Sequence, residues 1–258
     1  MEQEKQSVQS LDRAFAIIEH LSQNPGGMLL MDLSAATGLH KSTVHRLLAS
    51  LINLGYVRKD SDSNKYRLTF KLFEISGRVV AGIDTVSVAK PYLERLRNET
   101  NEAIHLVVRD GIDIVYVHKV EANNSSIHMF SRIGMRRPMY CTAVGKSILA
   151  TMSDGHIKRI WDKSDIKQYT QHTIIRLENL YQELEQVRRL GYALDNEENE
   201  LGVRCIGTAV LDYSGRAAAA LSISAPLMRM TDQRIEELAQ YILKAREDIS
   251  SELGYRGN

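Results

Sequence analysis

Three kinds of chemistry can be read from single residues of this chain of 258 residues. The first is hydrogen bonding to nucleic acid. Within Leu39–Val57 (LHKSTVHRLLASLINLGYV), Ser42, Thr43, Arg46, Ser50 and Asn53 share one face of a helical repeat, with Lys41 and His45 beside them. Hydroxyls, amides and a guanidinium are the groups that meet phosphate oxygens and base edges. The second is recognition of a small carboxylate. In Tyr140-Cys141-Thr142-Ala143-Val144-Gly145-Lys146, Thr142 is a good N-cap and the small residues after it leave backbone N–H groups accessible. Such a helix start carries partial positive charge and unpaired donors. The acidic run Leu194–Cys205 and the pair Ser222 and Ser224, which strand alternation puts on one face, could supply further polar contacts. The third is nucleophilic catalysis, by Cys205 with Asp195 or Cys141 with Lys146. No histidine has a convincing spacing to either cysteine, and no phosphate loop or metal motif appears, so an enzyme is not expected.

Each feature has a plainer counterpart: an amphipathic core helix, a capped helix on a sheet, a solvated acidic loop, an exposed strand face. The order of elements decides for the first. Val44, Leu47, Leu48, Leu51 and Leu54 give the Leu39–Val57 helix one apolar face. Upstream, Met31–Thr37 reads as a short helix closed by Gly38, so the two make a helix-turn-helix whose second helix would enter a major groove. A first helix, Ser7 to Ser22, is expected to bury Val8, Leu11, Phe15, Ile18 and Leu21. After Gly55, Tyr56–Lys59 and Lys65–Leu68 read as strands around Asp60–Asn64. A basic hairpin after such a helix is a wing, with Arg58, Lys59, Lys65 and Arg67 near phosphates.

Residues 71–82 read as a linker helix, and Asp84 as the cap of another running to Thr100, with Pro91 expected to kink or break it. From residue 102 the period changes. Glu102–Arg109 and Ile112–Val120 are β-branched runs joined at Asp110-Gly111, a hairpin signal. Ile127–Ile133 is a third strand candidate. Helices follow over 142–152, 154–161 and 176–190, then strands near 192–196, 205–212 and 216–224, and a terminal helix over 231–253. Strand pairs mixed with helices imply an antiparallel sheet flanked by helices, an α+β domain. The expected division is a DNA-binding domain over 1–70, a linker over 71–83 and a ligand-binding domain over 84–258.

Composition fits that division. Net charge is only +1, yet residues 41–71 carry a balance of +5 and the rest −4. A basic patch on a mildly acidic body is the footprint of a site-specific DNA binder rather than of one that coats DNA. No apolar run approaches the roughly 20 residues of a membrane span, and the polar start MEQEKQSVQ is no secretory signal. With Cys141 and Cys205 alone, neither a disulfide framework nor a zinc site is expected. A cytoplasmic protein without metal, cofactor or membrane partner is the expectation.

Over nearly its whole length the chain resembles the IclR family of bacterial transcriptional regulators. The matching pieces are KSTVHRLLASLINLGYV, RIGMRRPMYCTAVGKSILA, GYALDNEENELGVRCI and ALSISAP, in family order. The segments KLFEISGR, DIVYVHKV, FSRIGMRRPMYCTAVGK and DNEENELGVRCI are most similar to the KdgR-type branch, which governs sugar-acid catabolism. The resemblance implies a winged helix-turn-helix, a linker helix and a GAF-like effector domain. It implies homodimers through the DNA-binding domains, often paired into homotetramers, on a near-palindromic operator in double-stranded DNA. It also implies a small 2-keto or sugar acid as effector, 2-keto-3-deoxygluconate foremost. By the same resemblance the effector meets the backbone of Ala143 and Val144, the polar Asp195, Cys205, Ser222 and Ser224, and an apolar wall of Ile127, Phe130 and Val203; its carboxylate is expected on the amides of Ala143 to Gly145. Arg137 departs from relatives that bind very small 2-keto acids and carry an apolar residue there. It could meet a longer acid or point to solvent. A repressor relieved by its effector is the expected function. An activator answering a different carboxylate is the alternative, since operator position sets the sign of regulation.

Overall fold

The computed structural model describes residues 8–75, 84–122 and 131–257. The chain divides into two compact units, residues 1–82 and 83–258.

The first unit packs helices α1 (Gln9–Ser22), α2 (Leu30–Thr37) and α3 (Lys41–Asn53) with the antiparallel hairpin of β1 (Val57–Lys59) and β2 (Tyr66–Leu68). Its core is Ile17, Leu21, Leu33, Val44, Leu48, Leu51, Val57 and Tyr66. Gly38 ends α2 at φ +67, a left-handed conformation that costs glycine little, and so sets the turn into α3. Two expectations about burial fail. Val8, Leu11 and Phe15 of α1 are exposed, because the helix packs through Ile17 and Leu21 and only half-buries Ile18. Leu54 is exposed too, since it lies beyond the last turn of α3.

The second unit is an α+β domain. A six-stranded antiparallel sheet has the order β5-β4-β3-β8-β7-β6. Its strands are β3 (Ala103–Asp110), β4 (Asp113–Val120), β5 (Arg136–Pro138), β6 (Ala193–Asn196), β7 (Val203–Leu211) and β8 (Ala217–Pro226). Helices α4 (Thr85–Thr100) and α8 (Asp232–Glu252) cover one face, packing Leu93, Leu96, Leu238 and Ile242 on Ile104, Leu106, Leu221 and Ile223. On the other face α5 (Ala143–Ala150), α6 (Asp154–Lys163) and α7 (Leu177–Leu190) bring Val144, Ile148, Ile157 and Leu184 against Val107, Ala209 and Ala220. Alternation sorts the strands between the two cores, so Ile223 faces α4 and α8 while Ser222 and Ser224 face the other way.

Three local expectations change. Helix α4 runs unbroken through Pro91, with Asp84 as its N-cap accepting from the Val86 amide. Pro91 and Ser87 are both exposed, so water can satisfy the carbonyl that lacks a proline donor. The strand expected over 127–133 is found instead at β5, paired with β4. Of that expected strand, 131–133 are not extended sheet and 127–130 lie outside the described residues. Residues 71–75 are helical, and the rest of the expected linker lies outside the described residues. No helix among the described residues is long and apolar enough to cross a membrane.

Candidate functional site

The polar face of α3 is open. Lys41, Ser42, His45 and Arg46 are exposed and Thr43 is half-buried, while Val44, Leu48 and Leu51 hold the helix to its core. The start of α3 is fixed by His40, whose Nδ1 accepts from the Ser42 amide at 3.4 Å. Ser, Thr, Asp and Asn are the usual N-caps, so a histidine cap is not legible in sequence. At the other end the Lys71 ammonium donates to the Leu54 carbonyl and lies 4.8 Å above the Tyr56 ring. Lys71, one of the basic residues of the 41–71 patch, therefore closes the helix. In the hairpin, Arg58 and Lys59 are exposed and Lys65 half-buried. The loop between the strands is tied by Asp60, whose Oδ1 accepts from the Ser63 amide and hydroxyl. Those bonds hold its pKa below the usual carboxylate range. Arg67 packs across Gly27: a Cβ there would lie 2.6 Å from the Arg67 Cγ.

In the second unit a small cavity opens between the sheet and the start of α5. Arg137, Ala143, Val144, Asp195, Val203, Cys205, Ser222 and Ser224 line it, as do His105, Tyr116, Ser131, Met135, Thr142, Asn199 and Glu200. Two glycines allow the helix this close. A Cβ on Gly207 of β7 would lie 2.9 Å from the Val144 nitrogen, and one on Gly145 would lie 2.3 Å from the Met139 carbonyl oxygen. Gly145 is thus a packing residue. Its amide donates to Thr142 Oγ1 at 3.1 Å and is not among the cavity's walls, contrary to the expectation that it faces a ligand. The Lys146 amide is also used, by the Thr142 carbonyl. Ala143 and Val144, in the first turn, remain as the helix start facing the cavity. Ile127 and Phe130 lie outside the described residues.

The acidic run after β6 is no solvated loop. Asp195 Oδ1 accepts from the amides of Glu198 (2.8 Å) and Asn199 (3.3 Å). Thr170 and Thr173 donate their hydroxyls to the Glu197 and Glu198 carbonyls. Beneath it, the fully buried Lys146 ammonium pairs with Glu198 and, at 3.0 Å, with Glu183 of α7. Burial works against that ammonium, but the two carboxylates outweigh it and hold its pKa above the lysine range. Asp195 goes the other way. Burial, then the Glu198 carboxylate, pushes its pKa up to about 7.

His105 and Tyr116 escaped the sequence reading. His105 is buried in β3 opposite Ser222 of β8, and its ring stacks edge-on to Tyr116 with centroids 5.3 Å apart. Burial, with Lys119 adding to it, drives its pKa down to about 3, so the ring is neutral. A histidine in an apolar run was the only sequence signal, and its significance depends on strand pairing. Arg137 is half-buried on β5 and lines the cavity, and its guanidinium donates to the Arg136 carbonyl at 3.3 Å. Both thiols are pushed well above their ordinary range by burial, which removes the thiolate that a nucleophile needs.

Family models match both units: the IclR helix-turn-helix domain over residues 10–61, and the bacterial transcriptional regulator IclR C-terminal domain over 77–251. The regulator KdgR of Escherichia coli K12 is 38% identical over 255 residues, covering 99% of this chain and 96% of that protein. The repressor YiaJ of the same organism is 36% identical, over 99% and 92%. The crystal structure of Thermotoga maritima IclR has a TM-score of 0.65 at 34% identity, over 96% of this chain and 99% of that one.

Proposed function

Given that this chain belongs to the IclR family of bacterial transcriptional regulators, in its KdgR-type branch, we propose that it represses sugar-acid catabolic genes and is released from DNA by a 2-keto or sugar acid. The observation that carries the effector reading is the cavity. Its lining includes the first turn of α5 and Arg137, which suit a carboxylate, and Asp195, Ser222 and Ser224, which suit hydroxyl or keto groups. An arginine in that lining suits an acid of several carbons, with 2-keto-3-deoxygluconate as the leading candidate. The relatives YiaJ and AllR, named as repressors, support the sign of regulation.

On the DNA side, Ser42, Thr43, His45 and Arg46 are assigned to base edges and phosphates of a major groove, and Lys41, Arg58, Lys59 and Lys65 to the backbone. The apolar residues left exposed on α1 suit a homodimer contact within the DNA-binding unit, which would place two such helices on a near-palindromic operator. The proposed division is a DNA-binding domain over 1–70, a linker over 71–83 and an effector domain over 84–258.

Fluorescence anisotropy tests the reading, with the full-length protein, DNA from upstream of its own and neighbouring genes, and fixed salt. Tight binding that 2-keto-3-deoxygluconate releases is the expected result. Tight binding indifferent to it would reject this effector and keep the DNA reading. Binding no better than to random DNA would remove these promoters as targets.

A further inference from the structure

The fully buried Lys146 ammonium joins carboxylates from two different elements: Glu198, in the acidic run after β6, and, at 3.0 Å, Glu183 of α7. The other Glu198 oxygen, Oε2, is buried and meets no hydrogen-bond partner among the described residues. Such a cluster is a poor source of stability. Stripping water from buried charges offsets much of their attraction, and apolar residues of similar volume often serve as well. Its use lies in what it connects.

Lys146 belongs to the start of α5, where its amide donates to the Thr142 carbonyl. Ala143 and Val144 of the same turn line the cavity, and Lys146 does not. Glu198 donates its own amide to Asp195 Oδ1 at 2.8 Å. Asp195, Asn199 and Glu200 line the cavity, and Glu198 does not. One ion pair outside the lining therefore spans the helix start and the acidic run, which both contribute to it. That run is held rather than relaxed: Glu197 takes φ +61, a left-handed conformation that a side chain with a Cβ disfavours. Thr170 and Thr173 hold the Glu197 and Glu198 carbonyls, but they precede α7 and are no part of α5. Lys146 supplies the tie to α5.

We propose that Lys146 and Glu198 are positioning residues for effector recognition: their pair sets the spacing between the first turn of α5 and Asp195, so that one small acid meets both at once. An ion pair suits this task because its hydrogen bonds fix direction and distance, whereas apolar contact is non-directional. Neither residue touches the ligand. Lys146 acts through the turn that carries Ala143 and Val144, and Glu198 acts through its amide on Asp195. This inference rests on the proposed effector site and adds what holds its parts at their working distance.

The test uses the full-length protein and calorimetry, with 2-keto-3-deoxygluconate, gluconate and pyruvate as probes. E198A removes the tie from the loop and leaves Lys146 paired with Glu183. E198Q has the same charge as E198A but keeps an oxygen for the ammonium, so the difference between the two reads geometry and not charge. The tightest-binding probe should lose about tenfold in affinity in E198A, the scale of one hydrogen bond to a charged ligand, and at most about threefold in E198Q. D195A should lose about as much as E198A. The double variant E198A/D195A should lose no more than about twofold beyond D195A, because the pair acts through the placement of Asp195. A merely structural pair would lower the urea midpoint without this non-additivity. K146M/E198L repeats the test from the helix side with both charges of the pair replaced; it should keep its fold by circular dichroism and lose effector affinity as E198A does. Three results overturn the positioning role and leave the effector site standing: wild-type affinity in a folded E198A or K146M/E198L, equal losses in E198A and E198Q, or losses that add in the double variant. Failure of both E198A and K146M/E198L to fold would make the pair structural and overturn the role as well. If none of the probes binds the wild type, the effector-site reading falls and this inference falls with it.

Discussion

Asp195 and Arg46 are the residues at which single side chains make the sharpest predictions. A carboxyl whose pKa rises from about 4 in the unfolded chain to about 7 in the folded protein binds more protons when folded. Stability therefore falls as pH rises across that window, because ionising the buried group costs the folded state. Asp195→Asn removes the charge and keeps an oxygen for the Glu198 and Asn199 amides. Urea midpoints should show the variant gaining on the wild type by on the order of 2 kcal/mol between pH 5 and pH 8. Parallel profiles would show that Lys146 keeps Asp195 ionised throughout. Arg46→Ala should weaken operator binding by roughly 1–3 kcal/mol and leave random DNA almost unaffected, if Arg46 reads a base. Equal losses on both would make it a phosphate contact. Asp195, Ser222, Ser224 and Arg46 were visible in the sequence because their chemistry is local: a strand face, a helix face, an acidic run. His105 was not, because its partners lie 26, 117 and 119 positions away and only sheet pairing assembles them.

Helices and strands were easier to place than the faces they bury. The order of elements in both units follows from apolar periodicity, glycine stops and hairpin turns. The packing side of α1 did not, since its apolar residues cover two faces and only Ile17 and Leu21, with Ile18 half-buried beside them, pack on the core. Gly145 was misread for a related reason. Small residues at a helix start suggest open amides, but here the smallness serves contact with Met139 and Thr142. The contact between α5 and β7 makes a prediction at this scale. Gly207→Ala would press a methyl onto the Ala143 and Val144 backbone at 2.9 Å, where no flexible side chain can yield. A loss of about 1–3 kcal/mol in unfolding free energy is expected, and effector affinity should fall with the displaced helix start. A variant that binds the effector normally would mean that the cavity does not depend on this approach. Lys71 gives a second test. Because its ammonium caps α3, Lys71→Ala should lower the thermal midpoint and leave the salt dependence of DNA binding unchanged. Lys59→Ala should do the reverse, reducing the salt slope by about 1.

At the scale of the whole molecule, regulation requires that two sites on one chain bias a shared equilibrium. An effector that weakens operator binding must itself bind more weakly to the operator complex, by the same factor. One copy carries a single α3, whereas the near-palindromic operator proposed above would have two half-sites, so that proposal makes the assembly part of the mechanism. Leu11 and Phe15, 56% and 58% exposed on α1, are an apolar pair that water would disfavour on a lone unit. Replacing both with aspartate should leave the fold intact, because neither belongs to the core of Ile17, Leu21 and Leu33. The same change should drive the protein toward monomers in sedimentation and lower operator affinity by at least about tenfold, since one half-site contact is then lost. Non-specific binding should change far less, because it depends on the phosphate contacts of each unit separately. A double variant that remains dimeric and binds the operator at full strength would place the dimer contact elsewhere, and the exposed face of α1 would need another partner.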